Sequence, residues 1–315
     1  MGQKDGAGVA VSLNVSQGKG TPKSPRQRVK IDSLGIVGDA HAGPWHRQVS
    51  LLAAEDVDRF SKSAPGGRRY RPGEFAENVT TRGLDLGRVG LLDRLSVGRA
   101  ELEVTQIGKA CHGDGCSVFK EVGRCVMPKA GVFARVIRGG AVRVGDPVAW
   151  RPRPLRIRIL TLSDRVSAGV YEDLSGARIQ ELLEDFFKGK RWHPQFQRAV
   201  IPDEKKDLLA RLRAWSQEGC EIVMTTGGTG IGPRDITPDV VAGFADRLIP
   251  GIMEQVRMKH AERIPAAVLS RSLAAVKGRT LIYCLPGSPK AVAEYIAEFA
   301  KSLEHALAML HGIGH

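Results

Sequence analysis

The chain has 315 residues, of which 26% are charged and 42% hydrophobic, and its formal net charge is +13. This length is sufficient for two ordinary domains, and the composition is that of a globular protein, which excludes extensive disorder. Because the basic residues are dispersed and only 5% of residues are aromatic, the charge favours small phosphorylated ligands over nucleic acid.

Neither a membrane segment nor a secretion signal is visible in the sequence. No apolar run reaches the length of a membrane-spanning helix, and the first twenty residues lack the hydrophobic segment of a signal peptide. Five cysteines, an odd number, favour reduced thiols over a disulfide framework. We therefore expect a cytoplasmic protein with no membrane partner and no nucleic-acid partner.

The first half of the chain is predicted to be a β-rich domain, in the form of a barrel. Short β-like runs recur between Gly and Pro turns: VAVSLNV, QVSLL, LDRLSV, AELEVTQI, GVFARVI and AVRVGDPVAW. Helical periodicity is confined to a short stretch around AAEDVDRFSK. The segment RPRPLRIRIL then brings two prolines between charged residues, which is typical of a linker. We place the domains at residues 1–152 and 153–315.

The second half is predicted to be a three-layer α/β domain with a mostly parallel sheet, because strands and helices alternate. RIRILTL, FQRAVI, EIVMTT and RTLIYCL are predicted strands. The predicted helices are EDLSGARIQELLEDFF, EKKDLLARLRAWSQE, DVVAGFADRL, PGIMEQVRMKHAE and SPKAVAEYIAEFAKSLEHALAML.

Polar residues and glycines follow each predicted strand of this half. Ligands of such sheets bind beyond the carboxyl ends of the strands. After the third strand, the loop TTGGTG can present several backbone N–H groups to an anion, although a simple tight connection explains it equally well. The loop has neither the lysine of a Walker motif nor the spacing of a dinucleotide fingerprint.

Three acids are expected at the same edge of the sheet. Asp164, Asp203 and Asp235 each follow a different strand. Magnesium that bridges substrate phosphates needs only one or two carboxylates, so acids beside a phosphate-binding loop predict a nucleotide carried on Mg²⁺. The alternative is that each aspartate caps the helix that follows it.

The segments LTLSDRVSAGVYEDLSG, VIPDE, TTGGTGIGPRDITPD, LSRS and LPGSPKAVAE together resemble the MogA/MoaB family of molybdenum cofactor biosynthesis proteins, over nearly all of residues 155–310. The resemblance implies adenylylation of molybdopterin by Mg²⁺-ATP with release of pyrophosphate. It also implies a downstream metal-insertion protein of the MoeA type and a homo-oligomer, with a trimer favoured. Two alternatives remain: a non-catalytic carrier of molybdopterin or cofactor, and a nucleotide pyrophosphatase of the CinA type.

The resemblance also implies roles for individual residues. Asp203 and Asp235 would bind magnesium and take part in catalysis. Asp164, from its place after the first strand of this half, is predicted as a third catalytic acid. The predicted substrate and phosphate site consists of Ser163, Thr226, Gly227, Gly228, Thr229, Gly230, Arg234, Ser270, Arg271, Pro286, Gly287 and Ser288.

The first half has a second resemblance. KGTPK, GIVGDAHAGPWHRQVSLL, PGEFAENVTTRGLDL, GKACHGDGCSVFKEVGRCVMP and GVFARVIRGGAVRVGD resemble a MOSC domain over about residues 8–150. This implies a β-barrel that binds molybdenum cofactor or carries sulfur on a cysteine, with Cys116 as the first candidate and Cys111 as the second. The substrate of this half and the choice between molybdenum and tungsten are not visible in the sequence.

Several side chains of this half suit more than one role. Zinc is disfavoured for Cys111, Cys116 and Cys125 with His112, because gaps of four and eight residues differ from the usual zinc knuckle. Basic neighbours favour the thiolate form of these cysteines, but the sequence is equally consistent with buried, unreactive thiols. Asp39, His41 and His46 form either a ligand-binding or a structural loop, with Asn78 and Arg82 as weaker candidates. Cys220 and Cys284 are predicted core residues.

Overall fold

The computed structural model describes residues 6–64, 67–109, 119 and 125–313. The chain forms two compact units, the first ending at Arg153 and the second beginning at Pro154. The predicted linker is short, since only Pro152 and Arg153 separate the last strand of the first unit from the first strand of the second. No helix of the described ranges has the length and apolar character that crossing a membrane requires.

The N-terminal unit is built mainly from β-strands. Its described strands are β1 (Ala7–Val15), β2 (Ser24–Arg26), β3 (Arg28–Asp32), β4 (Gly35–Ile36), β5 (Val49–Ala53), β6 (Val79–Arg82), β7 (Arg94–Val97), β8 (Ala100–Ile107), β9 (Val132–Arg138), β10 (Gly140–Arg143) and β11 (Pro147–Arg151). Helices Ala54–Lys62 and Met127–Ala130 lie between them. Strands β10, β3 and β4 form a separate small sheet.

Seven of these strands close into a barrel, which confirms the predicted fold class. The order around the ring is β1, β11, β7, β8, β9, β5 and β6, and β6 pairs with β1 to complete it. Leu13, Leu51, Leu95, Leu102 and Val148 are fully buried in its core. The inward side of each strand is apolar because alternate residues of a strand point to one face.

Two details of the barrel differ from the sequence prediction. The run AVRVGDPVAW was predicted as one strand, but it is two, because Gly145 has φ +91 and turns the chain. Strands β2, β3, β4 and β6 were not predicted. These strands are short, and β6 (VTTR) lacks the apolar alternation that identifies a strand in a sequence.

The C-terminal unit is an α/β domain. Its strands are β12 (Pro154–Leu162), β13 (His193–Ile201), β14 (Ile222–Thr226), β15 (Arg247–Leu248), β16 (Ala274–Lys277) and β17 (Thr280–Leu285), in the order β13-β12-β14-β17-β16-β15. Its helices are Asp164–Ser167, Leu174–Phe187, Lys205–Gln217, Thr237–Phe244, Pro250–Ala261 and Pro289–Leu310, with a 3-10 helix at Pro265–Leu269. The four adjacent strands β13, β12, β14 and β17 are parallel, which confirms the predicted mostly parallel sheet.

The edge hairpin of this sheet was not predicted. DVVAGFADRL was predicted as a single helix, but the helix ends at Phe244 and Arg247–Leu248 forms β15. Strand β16 was missed as well. Asp246 accounts for the difference, because its backbone N–H donates to the carbonyl of Val276 and its carboxylate accepts from the N–H of Gly278, at 2.8 Å each. Both hydrogen bonds join segments that are far apart in the sequence, so the local pattern of apolar residues does not predict them.

The register of the sheet brings the ends of its strands together. Thr161 on β12 lies opposite Thr226 on β14, and Thr226 lies opposite Leu285 on β17. Ile201, the last residue of β13, lies opposite Leu162. The loops that follow these four strands therefore emerge side by side at the carboxyl edge of the sheet.

Candidate active site

The glycine loop after β14 is fixed by its neighbours on both sides. Gly227 and Gly228 have φ of +101 and +62, and a side chain at Gly227 would collide with the carbonyl oxygen of Leu162. The N–H of Gly227 donates to the carbonyl of Leu285 at 3.1 Å, and the hydroxyl of Thr237 donates to the carbonyl of Gly227 at 2.9 Å. Only glycine fits this path at low cost, and the resulting bare backbone can contact a phosphate closely.

Asp203 lies between Asp164 and the glycine loop. The backbone N–H of Asp164 donates to Oδ2 of Asp203 at 3.1 Å, and the N–H of Asp203 donates to Oδ1 of Asp164 at 3.0 Å. Oδ1 of Asp203 is 3.6 Å from the place that a Cβ at Gly228 would occupy. The loops after β12 and β13 therefore hold each other, and one carboxylate of the pair borders the glycine loop.

Asp235 borders the same loop from its other end. Its Oδ2 accepts the N–H of Gly232 at 2.8 Å and would be 2.7 Å from a Cβ at Gly230. None of the three aspartates is the cap residue of the helix that follows it. The cap positions of the corresponding helices are Ser163, Glu204 and Ile236, and only Ser163 accepts a capping hydrogen bond through its side chain. The helix-cap alternative for these acids is therefore not what the structure contains.

The surroundings of Asp203 and Asp164 shift the pKa values of these two carboxyl groups in opposite directions. Burial raises the pKa of Asp203, the N–H of Asp164 opposes that rise, and the nearby charges of Asp164 and Asp235 add to it. The pKa of exposed Asp164 is lowered by the N–H of Asp203 and by Arg234. A half-buried carboxylate whose charge is disfavoured is a place where a cation gains affinity.

The two arginines of the predicted site make different contacts. Arg234 pairs with Oδ2 of Asp164 and lies 3.4 Å from Oε1 of Glu204. Arg271 donates to the carbonyl oxygens of Gly230 and Asp235 and to both carboxylate oxygens of Asp239. Arg271 therefore holds the glycine loop in shape, whereas Arg234 neutralises the acids at its rim.

The predicted serines also have structural contacts. Ser288 caps helix Pro289–Leu310 by accepting the N–H of Ala291 at 3.2 Å, as Ser163 caps its own short helix. The carbonyl of Gly287 accepts the hydroxyl of buried Ser175 at 2.6 Å, and the hydroxyl of Thr226 donates to the carbonyl of Pro286 at 2.7 Å. These bonds bring the Pro286-Gly287-Ser288 loop against the glycine loop.

A cleft of about 340 Å³ opens beside the glycine loop. Thr229, Gly230, Ser270 and Pro286 from the predicted site contribute to its lining. The other side is formed by residues that the sequence analysis did not single out: Ile231, Ile264, Leu269, His260, Glu294 and Tyr295. The last three lie on predicted helices, and no motif distinguishes them from ordinary helical residues.

The acids suit a magnesium ion that is bound together with phosphate. Within the described residues there is no group of three or more His, Cys, Asp or Glu side chains that would hold a metal by itself. Magnesium usually takes only one or two carboxylates and completes its shell with water and phosphate oxygens. Asp203 and Asp235, on either side of the glycine loop, match this requirement.

The N-terminal unit contains a separate basic cavity of about 340 Å³. Its lining includes the four basic side chains of Lys19, His41, Arg47 and Lys109, together with the indole of Trp45. The guanidinium of Arg47 and the ammonium of Lys19 lie 4.8 Å and 5.3 Å from the centre of the Trp45 ring. The excess of positive charge over one aromatic ring suits an anionic ligand.

A buried ion pair supports this cavity. Lys23 and Asp39 meet at 2.5 Å, and both side chains are fully buried. The Nζ of Lys23 is also 3.1 Å from Nδ1 of His41, which lines the cavity. Asn78 lines the cavity too, whereas Arg82 is exposed and pairs with Asp58 at 3.4 Å. His46 accepts the hydroxyl of Thr105 through its carbonyl oxygen and is not part of the lining.

The five cysteines fall into three groups. Cys111 and Cys116, with His112, lie outside the described residues. Cys125 packs partly buried against the core that contains Phe75 and Met127. Cys220 and Cys284 are buried, and burial raises the pKa of each thiol to about 12, as expected of inert core residues.

The C-terminal fold and site define an α/β domain with a glycine loop at the carboxyl edge of its sheet and acids at the mouth of that loop. A family model described as "Probable molybdopterin binding domain" matches residues 158–305, and a model described as "MOSC domain" matches residues 38–149. The chain thus carries both domains that its motifs predicted.

Relatives with descriptive names match the C-terminal unit. A molybdopterin adenylyltransferase of Helicobacter pylori J99 is 35% identical over 160 residues, which cover 50% of this chain and 89% of that protein. The Escherichia coli K12 protein of the same name is 37% identical over 160 residues, covering 50% and 80%. A molybdenum cofactor biosynthesis bifunctional protein of Chlorobaculum tepidum is 36% identical over 160 residues, covering 51% and 50%.

Through its C-terminal unit, the chain belongs to the molybdopterin adenylyltransferase family. This confirms the resemblance to MogA and MoaB. Among solved structures, the molybdopterin biosynthesis enzyme MoaB of Thermus thermophilus is 37% identical, covers 50% of this chain and 97% of its own, and has a TM-score of 0.46.

Proposed function

We propose that the C-terminal unit is an enzyme of molybdenum cofactor biosynthesis that adenylylates molybdopterin with Mg²⁺-ATP. One observation carries the proposal: Asp203 and Asp235, from loops after different strands, both border the glycine loop. A phosphate-binding backbone beside carboxylates suits a nucleotide bound with a divalent cation. Relatives that are 35% and 37% identical over this unit bear the name of the same activity.

In the proposed reaction, a terminal phosphate oxygen of molybdopterin attacks the α-phosphorus of ATP. The bond from that phosphorus to the bridging oxygen of the β-phosphate breaks, and pyrophosphate leaves with the bonding electrons. Magnesium, held by Asp203 and Asp235, would neutralise phosphate oxygens. Transfer of this kind requires alignment and charge neutralisation more than covalent catalysis.

The residues around the loop would keep it aligned. The bonds from Arg271 to Gly230 and Asp235 and from Thr237 to Gly227 would hold the backbone N–H groups toward the phosphates. Arg234 would release Asp164 and Glu204 when phosphate arrives, because a polyphosphate is a stronger partner for guanidinium than an exposed carboxylate. Asp164 would keep Asp203 in place through the two backbone bonds.

The acids argue against a role limited to carrying the pterin. A carrier needs a phosphate cradle but gains nothing from carboxylates beside a phosphate, since like charges repel. A CinA-type reaction that hydrolyses a nucleotide would use the same acids. The two reactions therefore differ in one requirement: adenylylation needs the pterin, and hydrolysis does not.

For the N-terminal unit we propose binding of molybdenum cofactor or transport of its sulfur. The basic cavity around Lys19, Arg47 and Lys109 supports an anionic ligand there. Cys116 is the first candidate for a sulfur carrier and Cys111 the second. We further propose that the protein is cytoplasmic, forms a homo-oligomer such as a trimer, and passes its product to a metal-insertion protein of the MoeA type.

The test is to incubate the protein with ATP, magnesium and molybdopterin and to assay both adenylylated molybdopterin and pyrophosphate. Adenylylation predicts both products and no pyrophosphate without the pterin. Pyrophosphate release that ignores the pterin supports hydrolysis. Tight pterin binding with no ATP consumed supports a carrier.

A further inference from the structure

One histidine connects the basic cavity of the N-terminal unit with the ion pair behind it. His41 lines the cavity, and its side chain is 25% exposed. Its Nδ1 atom contacts the buried ion pair, at 3.1 Å from Nζ of Lys23 and 3.3 Å from Oδ1 of Asp39. Its Nε2 atom has no hydrogen-bond partner among the described residues and is not one of the buried atoms in that condition. Nε2 is therefore the ring nitrogen that a ligand in the cavity can contact.

The His41 ring is held in one orientation. It lies nearly parallel to the indole of Trp45, with 14° between the planes and 6.3 Å between the ring centres. The Nε1–H of Trp45 donates to the carbonyl oxygen of His41 at 2.7 Å, and the backbone N–H of His41 donates to Oδ1 of Asp39 at 2.9 Å. These contacts keep Nδ1 toward the ion pair.

The charge of Lys23 restricts where the His41 ring can carry its proton. Oδ2 of Asp39 accepts from Nζ of Lys23 at 2.5 Å and from the N–H of Ser16 at 3.0 Å. These bonds favour a charged carboxylate, and a buried carboxylate requires a charged lysine beside it. An ammonium group only donates hydrogen bonds. A proton on Nδ1 would thus place two donors 3.1 Å apart, whereas a bare Nδ1 accepts a hydrogen bond from Lys23.

The carboxylate of Asp39 competes for the same ring nitrogen. A proton on Nδ1 could be shared with Oδ1 of Asp39, but the two atoms are 3.3 Å apart, and Oδ1 already accepts the backbone N–H of His41. The shorter contact, in which the donor is charged, is the one with Lys23. The neutral imidazole therefore carries its proton on Nε2 and presents an N–H donor to the cavity.

We propose that Lys23 is a positioning residue that fixes the proton of His41 on Nε2, and that His41 thereby donates a hydrogen bond to an oxyanion bound in the basic cavity. The cationic side chains of Lys19, Arg47 and Lys109 in the same lining are donors without acceptors as well. This set matches a tetrahedral oxyanion, whose oxygens all accept. The proposal rests on the binding function proposed for the N-terminal unit, because it takes the basic cavity to be the ligand site.

NMR of the ¹⁵N-labelled protein measures the tautomer, because a ring nitrogen has different chemical shifts with and without a proton. The spectrum of His41→Gln identifies the His41 signals by their loss. We expect a proton on Nε2 and none on Nδ1 in the unmodified protein. A proton on Nδ1 overturns the proposal, and this measurement requires no substitution of Lys23.

Lys23→Met tests whether the lysine sets the tautomer. Without the ammonium group, the carboxylate of Asp39 is the remaining partner of Nδ1, and the proton should appear on that nitrogen. Circular dichroism shows whether the variant is folded. An unchanged tautomer in folded Lys23→Met overturns the positioning role, and if the variant does not fold, the tautomer of the unmodified protein and the sulfate titration decide.

Sulfate is the oxyanion probe, because it remains a dianion throughout the neutral pH range. Its titration, followed by NMR, should shift the signals of His41 Nε2–H. We expect His41→Phe to bind sulfate about tenfold more weakly, as the loss of one hydrogen bond to a charged group predicts. Lys30→Gln removes an exposed charge from β3 of the same unit and should bind sulfate like the unmodified protein.

The sulfate titration separates this proposal from the binding function of the cavity. Equal sulfate affinity in the unmodified protein and in His41→Phe overturns the donor role but leaves the cavity as an anion site. An equal loss in His41→Phe and Lys30→Gln overturns the donor role too, because it reports only general electrostatic attraction. If sulfate does not bind to the unmodified protein, the donor role and the anion site are both overturned.

Discussion

Asp164 and Asp203 each donate a backbone N–H to the carboxylate of the other, at 3.1 Å and 3.0 Å. This reciprocal pair joins the loops that follow β12 and β13 and fixes Asp203 next to Gly228. It explains why two acids, which repel each other as charges, remain together at the edge of the sheet. The backbone dipoles compensate for part of that repulsion, and a cation bound nearby would compensate for more of it.

Asp235→Asn is expected to leave the fold intact and to lower the rate of adenylylation by a factor on the order of 10² to 10³, the usual effect of removing one charge-stabilising group. The amide can still accept the N–H of Gly232 through its oxygen, so the loop keeps its bond while the carboxylate charge is lost. The measurement is formation of adenylylated molybdopterin, with circular dichroism to follow the fold. Asp207→Asn, an exposed acid on the nearby helix, is the control, and unchanged turnover in Asp235→Asn would remove the catalytic assignment.

Gly227→Ala is expected to destabilise the C-terminal unit by more than Gly169→Ala does. Both glycines have positive φ, +101 and +72, so both substitutions carry backbone strain of about 1 to 3 kcal/mol. Only the alanine at position 227 would also collide with the carbonyl of Leu162, while position 169 has nothing within 4 Å. Urea unfolding followed through the C-terminal unit measures the difference. Equal losses would mean that the loop can move away from β12.

Much of this site could be predicted because its residues follow strands directly. The run EIVMTT is apolar enough to identify β14, and TTGGTG therefore had to emerge at the carboxyl edge of a parallel sheet, where Asp164 and Asp203 also arrive. The same argument explains what was missed. His260, Glu294 and Tyr295 reach the cleft through the packing of two helices, and that packing leaves no local pattern in the sequence.

In the N-terminal unit, too, features with a local sequence pattern were predicted, and features that depend on distant contacts were missed. Alternating apolar residues predicted the barrel, but the lysine at position 23 carries no sequence signal that it is fully buried against Asp39. Lysine is rarely buried unless it is paired, so the burial of Lys23 depends on a partner sixteen residues away. The four unpredicted strands, β2, β3, β4 and β6, similarly depend on partners elsewhere in the N-terminal unit.

The pKa of Asp203 predicts how stability changes with pH. Burial raises this pKa above the value in the unfolded chain, so the folded state binds the proton more tightly. The free energy of unfolding contributed by Asp203 is therefore greatest below its ordinary pKa and declines as pH rises through the raised value. Asp203→Asn, which is neutral throughout, should be more stable than the unmodified protein at pH 7, and this advantage should vanish near pH 3. Urea unfolding at both pH values tests it, and an advantage that grows in acid would contradict the pKa shift.

Lys23→Met is expected to destabilise the N-terminal unit by about 3 to 5 kcal/mol, because it leaves the buried carboxylate of Asp39 without its cation. The double variant Lys23→Met with Asp39→Asn should lose less than the sum of the two single variants, since neither charge of the pair is left buried without the other. Hydrogen exchange of barrel amides, such as those of β5 and β8, reports on this unit separately. Additive losses would mean that the two charges do not stabilise each other.

Labelling of the cysteines with a thiol reagent near pH 7 tests the proposed sulfur-carrying role. Cys220 and Cys284 should react slowly, since burial raises both thiol pKa values to about 12 and leaves almost no thiolate. Cys116 is predicted to react faster, because Lys109, Lys120 and Arg124 lie close to it in the sequence and positive charge stabilises a thiolate. Mass spectrometry of the labelled peptides gives the three rates, and a Cys116→Ser variant shows whether Cys111 takes over. If Cys116 reacts no faster than the two core cysteines, a sulfur-carrying thiolate at that position loses its chemical basis, and the basic cavity would then act as a binding site alone.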